Sequence, residues 1–256
     1  MLYATISTLI NPSQLPIKGD KVSAKYLTEF IGTFFLVLTI GLTVTQGVAM
    51  APLAIGCSLM IMVYMGGHVS GGHYNPAVSL AAAIRGAMSK ADLIPYWIVQ
   101  VAGALAAAFV VSLVVAPVEA TADAAAISNY FGPAPGAAYS LSHPGPWIVE
   151  ILFTFALALV VLQTATSAGT KNNSFYGLAI GFTVVVAAFA GGGISGGAFN
   201  PAVGIGPNVI KGLLGSSPEA MQNIVLHVVG PLIGGALAAL VFAIQEMYVV
   251  KQQETA

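Results

Sequence analysis

The sequence predicts an all-α membrane protein with six transmembrane helices and two re-entrant half-helices in an inverted repeat. Long charge-free apolar stretches, a nonapeptide that occurs twice, and an odd number of spans per repeat carry this expectation. Of 256 residues, 57% are hydrophobic and 7% charged, with a mean hydropathy of +0.88. Soluble domains carry about 25% charged residues. No Asp, Glu, Lys or Arg stands between Glu29 and Arg85, Asp92 and Glu119, Asp123 and Glu150, Glu150 and Lys171, Lys171 and Lys211, or Glu219 and Glu246. A helix needs about 20 apolar residues to cross a hydrocarbon core about 30 Å thick. These stretches exclude a soluble protein, a single anchored domain and a cytosolic enzyme.

In chain order, residues 1–23 hold Pro12, Pro16, Lys18, Asp20 and Lys21 and read as a cytoplasmic tail. Spans are expected at about 24–46, 49–67, 93–116, 147–167, 175–192 and 222–248. Two apolar stretches, 76–86 and 201–212, are too short to cross and are expected to be half-helices. The first repeat is then 24–116 and the second 147–248, joined by an external connecting loop at 117–146 rich in Ala, Pro and Gly. Residues 168–174 form a tight polar turn, and 249–256 a second cytoplasmic tail. Orientation follows the basic residues of short loops. Lys18, Lys21, Lys25, Arg85, Lys90, Lys171 and Lys251 share one side, against Lys211 alone on the other, which puts both termini in the cytoplasm. The sequon Asn172-Asn173-Ser174 then lies on the cytoplasmic side, out of reach of glycosylation.

Residues 70–78 read Ser-Gly-Gly-His-Tyr-Asn-Pro-Ala-Val and residues 195–203 Ser-Gly-Gly-Ala-Phe-Asn-Pro-Ala-Val, identical at seven of nine positions at an offset of 125. Each half also carries an acid in its first span, Glu29 lying 46 residues before Asn75 and Glu150 lying 50 before Asn200. Three spans per half is odd, so the second half enters the membrane inverted. In such repeats, paired short hydrophobic segments mark the permeation site.

Asn is a favoured N-cap and Pro a favoured first helical residue, so Asn75-Pro76-Ala77 and Asn200-Pro201-Ala202 each start a helix. Two half-helices entering from opposite faces meet N-terminus to N-terminus near the midplane. There the helix dipoles make a positive potential, and the two Asn amides can donate to a passing oxygen. The preceding loops, Gly71-Gly72-His73 and Gly196-Gly197-Ala198-Phe199, supply pore-lining backbone. Irregular backbone at that depth is tolerated only when buried in protein or lining a watery cavity. Passive permeation of small neutral solutes follows, with cations repelled. Glu29 and Glu150 are expected to anchor the loops by accepting their hydrogen bonds, as intramembrane carboxylates normally have buried partners.

Other features carry less. A net charge of −1 gives no signal for nucleic acid, and the single Cys57 allows no internal disulfide. No His, Cys, Asp and Glu cluster has metal-ligand spacing, no nucleophile–base pair stands out, and no cofactor is implied. The Gly-rich run 191–197 lacks the lysine of a phosphate loop, and Met60, Met62 and Met65 read as packing. His73 is expected to anchor its loop and His227 to reach the outer vestibule.

These residues resemble the aquaporin, or major intrinsic protein, family over nearly the whole chain. Glu29-Phe30-Ile31-Gly32-Thr33 is similar to its first-helix signature, the two nonapeptides to its loop motifs, and Gly206-Pro207 and Val229–Gly235 to further patterns. The resemblance implies a homotetramer with one pore per subunit in a lipid bilayer, expected to be the plasma membrane. It also implies a narrow outer filter at Ile55, Ala188, Gly197 and Val203. Strict water channels of the family typically have Phe, His, a small residue and Arg there, and glycerol channels two aromatics, Gly and Arg. This chain has neither set, and Gly204 and Asn208 also miss the Asp and Lys/Arg usual in glycerol facilitators. The expected partners are water and larger uncharged solutes: glycerol, urea, ammonia or neutral metalloid acids. An ion-coupled secondary transporter, with Glu29 and Glu150 as protonation sites, and a low-permeability structural membrane protein are the competing readings.

Overall fold

The computed structural model describes residues 21–115, 131–214 and 217–254, and these contain eight α-helices. They are α1 (Lys21–Thr45), α2 (Ala51–Ser70), α3 (Pro76–Arg85), α4 (Leu93–Val115), α5 (Pro144–Ala165), α6 (Tyr176–Ser195), α7 (Pro201–Leu214) and α8 (Pro218–Glu254). Six are long and apolar enough to cross a membrane, while α3 has 10 residues and α7 has 14. At 1.5 Å per residue α3 is about 15 Å long, half a hydrocarbon core.

The helix ends differ from the expected spans where capping chemistry overrides hydropathy. α5 starts at Pro144 rather than 147, because the His143 ring accepts a hydrogen bond from the Gly145 N–H at 3.0 Å. α3 stops at Arg85, and Gly86 caps it at φ +85°. α7 runs two residues past 212. The region read as a tail from 249 continues α8 as helix to Glu254. Residues 1–20 and 116–130, most of the first tail and half of the connecting loop, lie outside the described residues.

Packing follows the repeat. α1 lies on α2 and α4, and α5 lies likewise on α6 and α8, while α2 and α6 cross each other. Of the half-helices, α3 rests mainly on α8, the last helix of the other repeat, while α7 packs equally on α4 and α8. Small residues occupy many of the buried helix contacts, and many large apolar residues face outward. Ala104, Ala107, Ala158, Ala202 and Ala238 are wholly buried, whereas Ile98, Leu113, Val186 and Leu240 are about 60% exposed on the outer faces. Lipid tails are as apolar as these side chains, so helix contacts rest on close packing of small residues. A Cβ on Gly206 would lie 2.6 Å from the Ala104 carbonyl carbon, and one on Gly235 2.5 Å from the Ala77 oxygen. The two half-helices are therefore seated backbone to backbone. Thr33, Thr39 and Thr43 turn their hydroxyls back onto carbonyls four residues earlier, hiding their polarity within α1.

Gly206→Val will force α7 off α4 and lower the thermal unfolding temperature of the detergent-solubilised protein, by about 1–3 kcal/mol of overpacking. Gly193→Ala, whose added Cβ meets nothing within 4 Å, will leave it unchanged.

Candidate permeation site

The two nonapeptides adopt one conformation twice. α2 and α6 end at Gly71 and Gly196, with φ of +94° and +92°, and each glycine N–H reaches back to a carbonyl, Gly67 O and Gly192 O. Only glycine takes this left-handed cap without steric cost. Tyr74 and Phe199 both sit at φ +48°, unusual for bulky side chains. A carboxylate beneath each loop holds that geometry. Glu29 accepts from Ser70 Oγ at 2.7 Å, the N–H groups of His73 at 2.9 Å and Tyr74 at 2.7 Å, and Gln100 Nε2 at 2.8 Å. Glu150 accepts from Ser195 Oγ at 2.7 Å and the N–H groups of Ala198 at 3.0 Å and Phe199 at 2.7 Å. Both glutamates are fully buried.

The half-helices start face to face. Asn75 Oδ1 caps α3 by accepting from the Ala77 N–H, and Asn200 Oδ1 caps α7 from the Ala202 N–H, both at 2.9 Å. That contact fixes each amide's orientation, so its NH₂ points across to the other repeat. Asn75 Nδ2 donates to Phe199 O and Asn200 Nδ2 to Tyr74 O, again at 2.9 Å. An amide NH₂ has two hydrogens, so one on each Asn remains free of these bonds.

Both Asn residues line a central cavity of about 260 Å³. Its wall on one side is apolar, including Leu36, Ile40, Val184 and Leu157, and on the other it is loop backbone. No protein donor among the described residues takes the carbonyls of Gly72, His73, Gly196, Gly197 or Ala198, and all five residues line this cavity. The arrangement is a stretch of acceptors on each side of a central pair of donors. Ile55, Ala188, Gly197 and Val203 line the same cavity, and no charged side chain does. A larger cavity of about 630 Å³ opens beside Arg85 and Lys171 and shares His73, Val161 and Ile180 with the central one. Another of about 380 Å³ opens beside Lys211 and shares Val203, Gly196 and Gly197. The central cavity thus shares wall residues with one cavity on its Arg85 side and another on its Lys211 side.

Several residues sit elsewhere than the sequence suggests. Pro76, Ala77, Pro201 and Ala202 are buried and line none of these three cavities; they position the helix starts, and Pro76 O accepts from Trp97 Nε1 at 2.9 Å. Gly71 lines the Arg85-side cavity instead of the centre, and Phe199 and Ala198 line the centre. His73 lies between two cavities, with Nδ1 3.1 Å from Ser79 Oγ. His227 does not reach the vestibule: it is fully buried, its Nε2 2.7 Å from Ser195 O and 3.8 Å from Glu150. The equivalent bond in the first repeat comes from Tyr96, whose hydroxyl donates to Ser70 O at 2.7 Å.

Sequence reasoning missed Gln100, Tyr96, the loop-holding role of Asn208 and the end of the connecting loop. Residues 131–134 line the Lys211-side cavity, held by Asn208 Nδ2 donating to Pro133 O at 3.1 Å and by the Gly136 N–H donating to Ile194 O. The available signal was a buried-type amide, Gln100 or Asn208, standing alone in an apolar run.

Residues 17–242 match the family described as Major intrinsic protein. The chain is 34% identical over 218 residues to the glycerol uptake facilitator protein-like 6 of Lactiplantibacillus plantarum, covering 84% of this chain and 94% of that protein. It is 30% identical over 233 residues to aquaporin Z of Brucella melitensis, covering 85% and 96%. Its fold matches the X-ray structure of the aquaglyceroporin from Plasmodium falciparum with a TM-score of 0.72 at 20% identity, covering 86% of this chain and 94% of that one.

Replacing Glu29 by Gln leaves one acceptor oxygen for four donors. Each buried donor orphaned this way costs about 1–3 kcal/mol, so Glu29→Gln will lower the unfolding temperature in detergent by more than Glu246→Gln, whose carboxylate bonds only Ser167 and the Ala168 N–H at the bundle end.

Proposed function

The chain belongs to the major intrinsic protein family, and from that premise we propose that its pore passes water together with larger uncharged solutes, glycerol, urea, ammonia or neutral metalloid acids. Members of this family are passive channels and not enzymes, and the chain is an integral multi-pass membrane protein that serves as a channel for water and small solutes. The observation that carries the wider solute range is the composition of the filter positions. Ile55, Ala188, Gly197 and Val203 bring no charge, no ring and no side-chain hydrogen-bonding group to the cavity they share. A site without bulk admits a solute wider than water, and loop carbonyls opposite apolar walls suit a molecule with one polar edge.

Solutes move along the three connected cavities. At the centre the free hydrogens of Asn75 and Asn200 donate to the passing oxygen, and the two helix N-termini oppose cations there. The pore backbone of Gly71, Gly72, His73, Gly196, Gly197, Ala198 and Phe199 stays in place because Glu29 and Glu150 anchor it. Both carboxylates are surrounded by donors and line none of the three cavities. This weighs against their acting as proton sites of a coupled transporter. The termini and the Arg85-side mouth face the cytoplasm, the Lys211-side mouth faces outward across the plasma membrane, and four subunits assemble, each with its own pore.

Stopped-flow light scattering on proteoliposomes will show fast water flux with clear glycerol or urea flux, independent of imposed proton or sodium gradients. Water flux alone would sink the permissive filter, and gradient-dependent flux would sink the channel. Val203→Arg will narrow the filter and cut glycerol or urea permeability about tenfold or more, equivalent to about 1.4 kcal/mol of added barrier. Unchanged solute flux in that variant would place the filter elsewhere.

A further inference from the structure

An apolar filter raises the question of which group discriminates charge along the path. Among the described residues, the central cavity has no Asp, Glu, Lys or Arg on its wall, and the mouth beside Val203 has one, Lys211. The geometry points to Lys211 as an ion-discriminating charge of this channel, set at the mouth where it repels cations before they reach Val203. The proposal rests on the pore reading above and adds the residue that sets charge preference at its entrance.

Lys211 lies in the last turn of α7, eight residues beyond Val203 on the same helix, or about 12 Å at 1.5 Å per residue. Both residues line the mouth of about 380 Å³, so a solute passes one on its way to the other. The lysine stem is held there by packing. Its Cδ lies 3.2 Å from where a Cβ on Gly132 would stand, and Gly132 belongs to the segment fastened through Pro133 to Asn208. No carboxylate among the described residues pairs with Lys211.

Two fields meet at this mouth. The C-terminal end of a helix such as α7 carries a partial negative charge that favours cations. A lysine in a last turn commonly complements such an end, and that bland role accounts for its helix position. It does not account for the stem lying on the wall of the entrance. A full positive charge outweighs the roughly half charge of the helix end and reverses the sign met by an entering ion. Low-dielectric walls focus that field into the opening. The opposite mouth is mixed in sign: Arg85, engaged by the Thr166 hydroxyl and carbonyl, and Lys171 share its wall with Glu246. Among the described residues, the Val203-side mouth is the one lined by charge of a single sign.

The test reads electrostatic potential directly. In a Cys57→Ser background, Val203→Cys and, separately, Ala188→Cys provide reporter thiols in reconstituted protein. Each is reacted with a cationic (trimethylammonioethyl) and an anionic (sulfonatoethyl) methanethiosulfonate. Lys211→Met will raise the cationic-to-anionic rate ratio about tenfold, and Lys211→Glu will raise it further. Lys211→Arg will keep the parent ratio, and 1 M salt will shrink the differences by screening. A ratio that stays constant across the Met and Glu variants at both thiols overturns the proposal, as does failure of both thiols to react with either reagent. Water permeability of the parent tests the pore reading separately: a closed parent sinks that reading, while an open parent with a constant ratio sinks only the role of Lys211.

Discussion

The structure depends on one constraint: peptide groups that leave the helix in mid-membrane must find partners inside the protein. Hydrocarbon offers no hydrogen bonds, and each orphaned backbone group there costs several kcal/mol. Glu29 and Glu150 meet that constraint by drawing the N–H groups of His73, Tyr74, Ala198 and Phe199 inward. With the donors turned to the carboxylates, the loop carbonyls are left to the lumen. The same contacts hold Tyr74 and Phe199 in their left-handed conformation and aim α3 and α7 at each other. The lining of the central cavity and the seating of the half-helices thus depend on the same pair of buried acids.

The two repeats are equivalent in their loops and different around them. Glu29 has a fourth donor in Gln100, whereas Glu150 has His227 at 3.8 Å instead. The serine carbonyl at each loop entrance is taken by Tyr96 in one half and His227 in the other. In each half the requirement is met by a donor at a place and not by one residue type. The walls diverge more freely still. One mouth is edged by Arg85, Lys171 and Glu246, and the other by Lys211 and the end of the connecting segment.

Much of this was legible in the sequence, for physical reasons that also mark where reading stopped. The nonapeptides are contiguous and carry their own capping chemistry, so Asn75, Pro76, Asn200 and Pro201 identify helix starts without any tertiary information. Charge-free lengths locate spans, since hydrocarbon thickness sets them. Rotation of each span about its axis is not written this way. A helix apolar on every side gives no periodic signal, so the inward-facing Leu36, Ile40 and Val184 look like the lipid-facing Ile98 and Val186. Isolated polar residues are the exception, and Gln100 and Asn208 turned out to hold loops. His227 misled because histidine suits a wet vestibule as well as a buried bond to a carbonyl. The segment 131–134 misled because loop composition does not tell which loop folds back onto the site.

The reciprocal seating of the half-helices bears on how the chain is made. α3 leaves synthesis early, yet its main support is α8, the last of the eight helices described, and the amide of Asn75 waits for a carbonyl 124 residues downstream. The first three spans therefore cannot mature by themselves after insertion. Until α8 and the second loop are in place, α3 lacks its main packing partner and the Asn75 amide lacks its acceptor. Truncation near the C-terminus accordingly does more than remove a helix: it leaves the beginning of the chain unfinished.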